Sequence, residues 1–397
     1  MADGGGLTAR IIERISEVPA HEWDACAGRT NPFVTHVFLQ ALEESGSTTS
    51  ESGWLPRHLV IENDRGRVLA AVPMYLKGHS YGEYVFDHGW ADAFERAGGR
   101  YYPKLQVAVP FTPITGPRLL LRPAVDGGGS EAELRRAVIG ALETMTERLG
   151  VSSLHVTFPT EDEWRELGRC GWIQRLGQQF HWYNRGYESF DDFLGALVSR
   201  KRKTIRKERR RVAEQGIHVH ALSGPEIEPC HWDSFYRFYI DTYDRKWGYP
   251  YLTREFFEIV HERMADSVVL MVAAVEGRPV AGALNFRGTD ALFGRNWGCE
   301  RDYKFLHFEA CYYQAIEYAI VHSLERVEAG TQGPHKIQRG YEPRPTYSAH
   351  LIRHAGLREA VTRFCASERA KLEREMTHLA RYCPYRQEEE PAQVSVE

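Results

Sequence analysis

The sequence predicts an α/β (α+β) chain made of two tandem copies of one domain type, each a mixed, mostly antiparallel sheet flanked by helices. Three observations carry this. Residues 57–72 read as strand, tight turn, strand, and residues 268–284 repeat the pattern; each has a Gly-Arg pair at the turn (Gly66-Arg67, Gly277-Arg278), where glycine tolerates positive φ. Upstream of each hairpin stands a similar cluster, His21-Glu22-Trp23-Asp24 and His231-Trp232-Asp233, leading into an aromatic helix. Downstream of each, more strands are followed by a long helix and a further strand.

In the first copy, the aromatic helix runs from Pro32 to Leu42, ahead of the hairpin. Asp87 to Asp92 and Tyr101 to Pro113 read as a β-rich loop and strand. Glu131 to Leu149 has helical periodicity, and Ser153 to Phe158 is a short apolar strand. The copies join near residues 185–200, which sets domains at 8–185 and 186–380. The second copy opens with a basic helix, continues with a helix from Thr253 to Met264, and then repeats the hairpin. Leu306 to Leu324 is its long helix and Arg326 to Ala329 the strand after it. A charged helix, Leu357 to Arg381, closes the second copy, and residues 387–397 lack periodicity and read as a disordered tail.

Composition excludes several classes. The chain has 397 residues, 43% apolar and 26% charged, which is a globular balance. Its net charge of −4 produces no global field for nucleic acid or membranes. The longest apolar run, Val268 to Val275, suits a buried strand and not a membrane span, so integral membrane association is not expected. The first residues lack the charged and apolar regions of a signal peptide, and seven scattered cysteines contain no Cys-x-x-Cys pair. A soluble, cytoplasmic protein without a disulfide framework is expected. No P-loop, Gly-x-Ser-x-Gly, Gly-x-Gly-x-x-Gly or His-Glu-x-x-His pattern occurs, so hydrolase and metalloenzyme readings rank low and no metal site is expected.

Four segments carry chemistry. Residues 199–211 hold nine basic residues and one acidic one, among them Arg200, Lys201, Arg202, Lys203, Arg206, Lys207, Arg209 and Arg210. They read either as a solvated helix or as a contact for a polyanion such as tRNA phosphates, whose affinity would fall steeply with salt. At the start of the long helix, His307, Cys311 and Gln314 share one face, while Glu309 lies on the next stripe with Tyr313. Glu309 or His307 could serve as base for an attacking amine, and the free N–H groups of the first turn could hold an anion. The loop from Gly330 to Tyr341 brings His335, Lys336, Arg339 and Tyr341 to a strand end and suits a carboxylate or phosphate. Arg245-Lys246-Trp247-Gly248 and Arg295-Asn296-Trp297-Gly298 share an Arg-x-Trp-Gly pattern that could line one pocket, with Arg245, Trp247, Arg295 and Trp297 as contacts. For all four, buried structural roles compete with the functional ones.

The order of elements is similar to the GNAT acyltransferase fold, and two such units in tandem resemble the Fem family of aminoacyltransferases. The likeness extends to a bacterial FemAB-like subfamily through Tyr102-Pro103-Lys104-Leu105, Pro110-Phe111-Thr112-Pro113, Arg245-Lys246-Trp247-Gly248, Gly294-Arg295-Asn296-Trp297-Gly298, Leu306-His307-Phe308-Glu309 and His335-Lys336-x-x-Arg339-Gly340-Tyr341. It covers residues 20 to 375. The resemblance implies aminoacyl transfer from aminoacyl-tRNA to an amine of a peptide, amino-sugar or small-molecule acceptor in peptidoglycan metabolism, with no bound cofactor. It places the chemistry in the second domain, with Glu309, His307 and His335 as catalytic candidates, and makes Lys104, Phe111 and Thr112 acceptor contacts. Acetyl-CoA-dependent members carry a glycine-rich pyrophosphate loop before the long helix; residues 301–309 contain no glycine, which counts against acyl-CoA as donor. An acyl-CoA-dependent enzyme and a non-catalytic module that recognises peptidoglycan precursors are the alternatives. The sequence leaves oligomeric state open.

Overall fold

A computed structural model describes residues 6–123, 130–245, 249–330 and 333–386. The expectations for Trp247 and for the tail at 387–397 therefore lie outside the described residues.

The first copy contains β1 (Leu7–Ile12), α1 (Ala20–Ala27), α2 (His36–Glu44), β2 (Leu55–Pro56), β3 (His58–Asn63), β4 (Val68–Val72), β5 (Met74–Lys77), α3 (His88–Arg96), β6 (Lys104–Val107), β7 (Leu120–Leu121), α4 (Glu131–Arg148), β8 (Ser153–Thr157), α5 (Glu161–Arg169) and β9 (Ile173–Tyr183). The second contains α6 (Phe190–Ala196), α7 (Ser199–Ala213), β10 (Ile217–Ser223), α8 (Pro229–Arg245), α9 (Arg254–Met264), β11 (Val268–Val275), β12 (Arg278–Arg287), β13 (Ala291–Cys299), α10 (Leu306–Phe308), α11 (Gln314–Val321), β14 (Arg326–Glu328), β15 (Glu342–Ile352) and α12 (Ala355–Ala380). A π turn, Glu309–Tyr313, joins α10 to α11. Both hairpins form, with Gly66 at φ 72° and Gly277 at φ 78° in their turns. The fold class is the expected one, two tandem α/β copies with mixed, mostly antiparallel sheets flanked by helices.

Asp87 to Asp92 departs from the expected β-rich loop: residues 88–96 are helical. The helix turns Trp90 and Ala91 inward and leaves its charged positions in solvent, a short 3.6-residue pattern obscured by Gly89 within it and by Gly98 and Gly99 just after it.

Strands β1, β3, β4 and β7 make a small sheet, and the other eleven form one long sheet in the order β10-β11-β12-β13-β14-β9-β15-β8-β6-β5-β2. Its centre is symmetric. In each copy the strand after the long helix makes a parallel pair with an earlier strand of the same copy, β8 with β6 and β14 with β13. The last strands are then exchanged: β15 of the second copy pairs with β8, β9 of the first pairs with β14, and β9 and β15 pair with each other over nine residues. Pro343 and Pro345 are tolerated in β15 because both lie before Ser348, where pairing with β8 begins, so that side of the strand needs no donor there.

Burial also crosses the copies. Trp23, Phe33 and Phe38 pack in one cluster with Trp232, Phe256, Phe286 and Phe293. Helix α8 lies directly on the sheet at Gly298 of β13, where an added Cβ would collide with the Phe238 backbone carbonyl. This gives the glycine of Arg295-Asn296-Trp297-Gly298 a structural purpose. Gly298→Ala is expected to cost about 1–3 kcal/mol through overpacking, read as a shifted urea midpoint with unchanged m-value. An unshifted midpoint would mean the helix yields freely.

Candidate active site

The parallel pairing of β13 with β14 stops at Phe293 and Glu328, and beyond that point the two strands part. The gap opens a cleft of about 510 Å³. One side is β13 from Gly294 to Trp297 and the other is Ala329 and Gly330. Tyr239 and Tyr243 of α8 form one wall, while His307, Cys311 and Tyr312 line another and the turn at residues 334–339 adds His335 and Lys336. The first copy contributes Tyr84.

The equivalent split in the first copy, after Val107 and Thr157, is closed by its own chain. Gly116 N–H donates to the Phe158 carbonyl, and buried Arg118 donates to the carbonyls of Ile114, Gly116, Pro117 and Thr157.

Among the described residues, no Asp or Glu lines the open cleft, whereas Arg295 and Lys336 do. Lys336 is 2% exposed. Its ammonium donates to the carbonyls of Ala329 (2.7 Å) and Gly330 (2.9 Å), and burial without a carboxylate lowers its pKa to about 8. His335 meets the Tyr312 hydroxyl at 2.9 Å, and burial, followed by the charges of Arg339 and Lys336, moves its pKa down, so it is neutral at neutral pH. Trp297 stands edge-on to His307 at 5.4 Å. Arg295 donates to the Phe111 carbonyl and to Thr112 Oγ1, so it ties the cleft to the first copy, and burial lowers its pKa.

Several sequence candidates stand elsewhere. Glu309 is buried behind the cleft, accepting from Arg209 (3.1 Å) and Gln314 (2.8 Å). Two positions from His307, it points away from the cleft face, while the π turn brings Tyr312 beside Cys311 on that face and carries Gln314 off it. Arg339 forms a two-oxygen ion pair with Glu208 at 2.9 Å and lies over the Phe308 ring. Tyr341 is fully buried against Tyr312. Arg245 donates to carbonyls of Asp241 and Cys299 at the end of α8. Phe111 and Thr112 are buried; Phe111 stacks on Tyr251 at 4.8 Å. Lys104 is remote from the cleft, fully buried between Glu83 (2.8 Å) and Asp87 (2.5 Å). The amides of Leu306 and Phe308, considered for anion binding, donate to the carbonyls of Tyr303 and Phe305.

The basic helix α7 packs against this site. Ile205, Glu208 and Val212 face inward, and Glu208, the single acid between Ser199 and Arg211, receives Arg339 and the Tyr313 hydroxyl. Lys201 bonds Gln338, Arg206 pairs with Asp191, Arg209 with Glu309 and Glu317, and Arg210 with Glu214. Arg200, Lys203 and Lys207 are exposed with no ion-pair partner among the described residues, and Arg202 is half-buried. The helix thus presents free cations on the outside while its inner face holds the turn that carries His335 and Lys336.

Sequence reasoning missed Tyr84, Tyr239, Tyr243 and Glu208. Tyr239 and Tyr243 are an i, i+4 aromatic pair that periodicity could have flagged. Tyr84, more than 150 positions away from either, carried no such signal.

The chain matches the model of the FemAB-like family, described as peptidoglycan biosynthesis/recognition, over residues 14–387. No curated protein sequence matches it significantly. Among solved structures it is similar to FemX, with TM-score 0.56 and 10% identity over 87% of this chain and 98% of that one. It is also similar to the C-terminal DUF2156 domain of a protein described as a lysylphosphatidylglycerol synthetase from Agrobacterium fabrum (TM-score 0.52, 11% identity, 88% and 95% covered). A conserved protein of unknown function from Bacteroides thetaiotaomicron gives TM-score 0.50 at 12% identity, with 87% and 100% covered. At these identities the likeness is one of fold.

Proposed function

The chain belongs to the FemAB-like family, described as peptidoglycan biosynthesis/recognition, and from that membership we propose that it is an N-acyltransferase whose chemistry takes place in the β13–β14 cleft. Its donor is an anionic, activated acyl group, aminoacyl-tRNA, and its acceptor an amine of a peptide, amino sugar or small molecule. One observation carries this reading: among the described residues the split that opens in the second copy is lined by cations and neutral histidine without a carboxylate, and it sits on the turn that the basic helix holds.

In the transfer, the acceptor nitrogen bonds to the donor carbonyl carbon and the ester C–O bond breaks. Lys336, protonated, donates to the developing oxyanion, where a preorganised donor acts most strongly. His335, neutral, accepts the amine proton, and the leaving oxygen takes a proton back. Positioning does the remainder, so no covalent intermediate on the protein is needed. The internally bonded amides of Leu306 and Phe308 favour aminoacyl-tRNA over acyl-CoA, because a pyrophosphate loop would need them free. The protein has no helix among the described residues long and apolar enough to cross a membrane, so the reading takes a water-accessible acceptor.

The test is donor binding at low and moderate salt with charged tRNA, uncharged tRNA and an acyl-CoA, followed by turnover. Charged tRNA is expected to bind with a salt slope that drops by about 2–3 when Arg200, Lys203 and Lys207 are changed to glutamine. Lys336→Met is expected to lower kcat about 10²–10³-fold. The rate should rise with pH through the His335 titration, below 6.5, and fall as Lys336 deprotonates around 8. Binding of acyl-CoA alone would overturn the donor assignment, and ligand binding unaffected by Lys336→Met with no turnover would favour a recognition module.

A further inference from the structure

A second cleft, of about 370 Å³, opens on the other side of Tyr84. Tyr84 is the residue common to both clefts, and it stands between them as a partition. The floor is the central pair of exchanged strands, where Thr346 faces Gly177. A Cβ on Gly177 would come within 2.6 Å of Thr346 Oγ1, so glycine is what keeps the floor open.

The lining differs in kind from that of the first cleft. Arg175 is its one cation, and that charge is neutralised on the spot by a two-oxygen pair with Glu368 at 2.7 and 2.9 Å. What remains is uncharged: the hydroxyls of Thr346 and Ser348, glutamine amides, the rings of Phe86 and Phe158, and aliphatic side chains such as Val85 and Leu372. Phe86 is 66% exposed at the rim. Two aromatic residues of this cleft, Tyr84 at φ 59° and Phe158 at φ 54°, hold left-handed backbone that bulky side chains rarely adopt. Such strain is kept where surrounding structure imposes it, and it collects at ligand sites.

We propose that this second cleft binds the uncharged part of the acceptor, a group bearing amides and hydroxyls with one apolar face, and that Tyr84 positions the acceptor amine where it enters the first cleft. The inference rests on the acyl-transfer reading for the term acceptor; the cleft and its ligand chemistry do not. An N-acylated sugar and a neutral peptide share this chemistry. Aromatic faces at the rim take the apolar side of such a ligand, and the amide and hydroxyl side chains take its polar edge. The two clefts then divide the substrates by charge, the anion on the Lys336 side and the neutral group on the Thr346 side.

The experiment is a binding titration of the full chain with two neutral probes, N-acetylglucosamine and N-acetyl-alanyl-alanine amide, by saturation-transfer NMR. It is repeated with Phe86→Ala, Thr346→Val, Tyr84→Phe and Lys336→Met. At least one probe is expected to bind, and the probe that does so names the source. Phe86→Ala and Thr346→Val should weaken it at least fivefold, and Lys336→Met should leave it unchanged. Tyr84→Phe and Tyr84→Ala, in turn, should raise KM for the acceptor or lower kcat without altering donor affinity. Phe86 is exposed, so its variant tests the site without a folding penalty. Absence of binding by both probes overturns the proposal, as does a loss on Lys336→Met equal to that on Phe86→Ala. Probe binding without any donor binding would sink the acyl-transfer reading alone, and donor turnover indifferent to Phe86, Thr346 and Tyr84 would sink this one alone.

Discussion

Replacing Lys104 with methionine is expected to destabilise the protein by about 3–5 kcal/mol, the cost of leaving buried carboxylates without their partner. Lys104 donates to Ser80, Glu83 and Asp87, and all four groups are buried. Burial alone would push its pKa down, but the two carboxylates outweigh that and hold it above the usual lysine value. Asp87 also accepts from the Tyr101 hydroxyl at 2.7 Å, and despite burial the Lys104 charge keeps its pKa below the usual carboxylate range. Glu83 is the weaker partner: burial raises it to about 7, and burial likewise lowers neighbouring Lys77 to about 7. With Lys104 gone, Lys77 alone, 3.9 Å from Glu83, faces two acids. A urea titration measures the loss. The combined variant Lys104→Met, Asp87→Asn, Glu83→Gln should recover most of it, since no charge is then stranded. A Lys104→Met midpoint within 1 kcal/mol of the parent would mean these groups are not charged in the folded protein.

Acidification should strike the exchanged strands next. His155 of β8 and His350 of β15 meet Nδ1 to Nδ1 at 2.6 Å, so one ring donates and the other accepts, and both cannot be protonated. Burial is the main cause of their lowered pKa values; Lys104 adds to it at His155, and His155 and Arg175 add to it at His350, while Asp87 opposes at both. His155 is lowered to about 3 and His350 lies well below 6.5. The unfolded chain therefore binds more protons below pH 6.5. The stability from neutral histidines is complete above 6.5 and is lost as pH falls, by about 2 kcal/mol for His155 at pH 5, with His350 adding in the same direction. Glu83 runs the other way: its raised pKa means stability increases as pH drops from about 7 toward 4.5, offsetting part of the loss. Comparing the parent with His155→Asn, His350→Gln removes that common term. The double variant should show a flatter fall in urea midpoint between pH 7.5 and 5.0, and an equal fall in both proteins would exclude the pair as the acid-sensitive element.

The parts of the site legible in advance were those encoded locally. The segment Gly330 to Tyr341 does shape a turn, and two of its four named side chains, His335 and Lys336, line the cleft. Arg339 and Tyr341 pack behind it, Arg339 drawn there by Glu208 and Tyr341 buried against Tyr312. Glu309 fails for a related reason. Two positions from His307, it lies roughly 200° round a regular helix, and Arg209 captures the carboxylate on that far side. The resemblance makes Lys104 an acceptor contact, whereas two acids 17 and 21 positions earlier hold it buried away from the cleft.

By itself, the sequence determined the hairpins at 58–72 and 268–287, the helices at 131–148, 254–264 and 355–380, and the duplication that relates the copies. These depend on neighbours a few residues apart, on turn glycines, apolar spacing and caps such as Ser130, whose side chain accepts from Glu133 N–H. Tertiary structure alone decided the exchange of β9 and β15, two long strands rich in polar residues and proline whose partners lie in the other copy. It decided which split stays open, since Arg118 closes one and none of the described residues fills the other in that way. It also brought Tyr84 to a cleft made by residues 239–336. Contacts over such separations leave no periodic trace, because their free energy comes from burial and pairing that exist only once the two copies share a sheet.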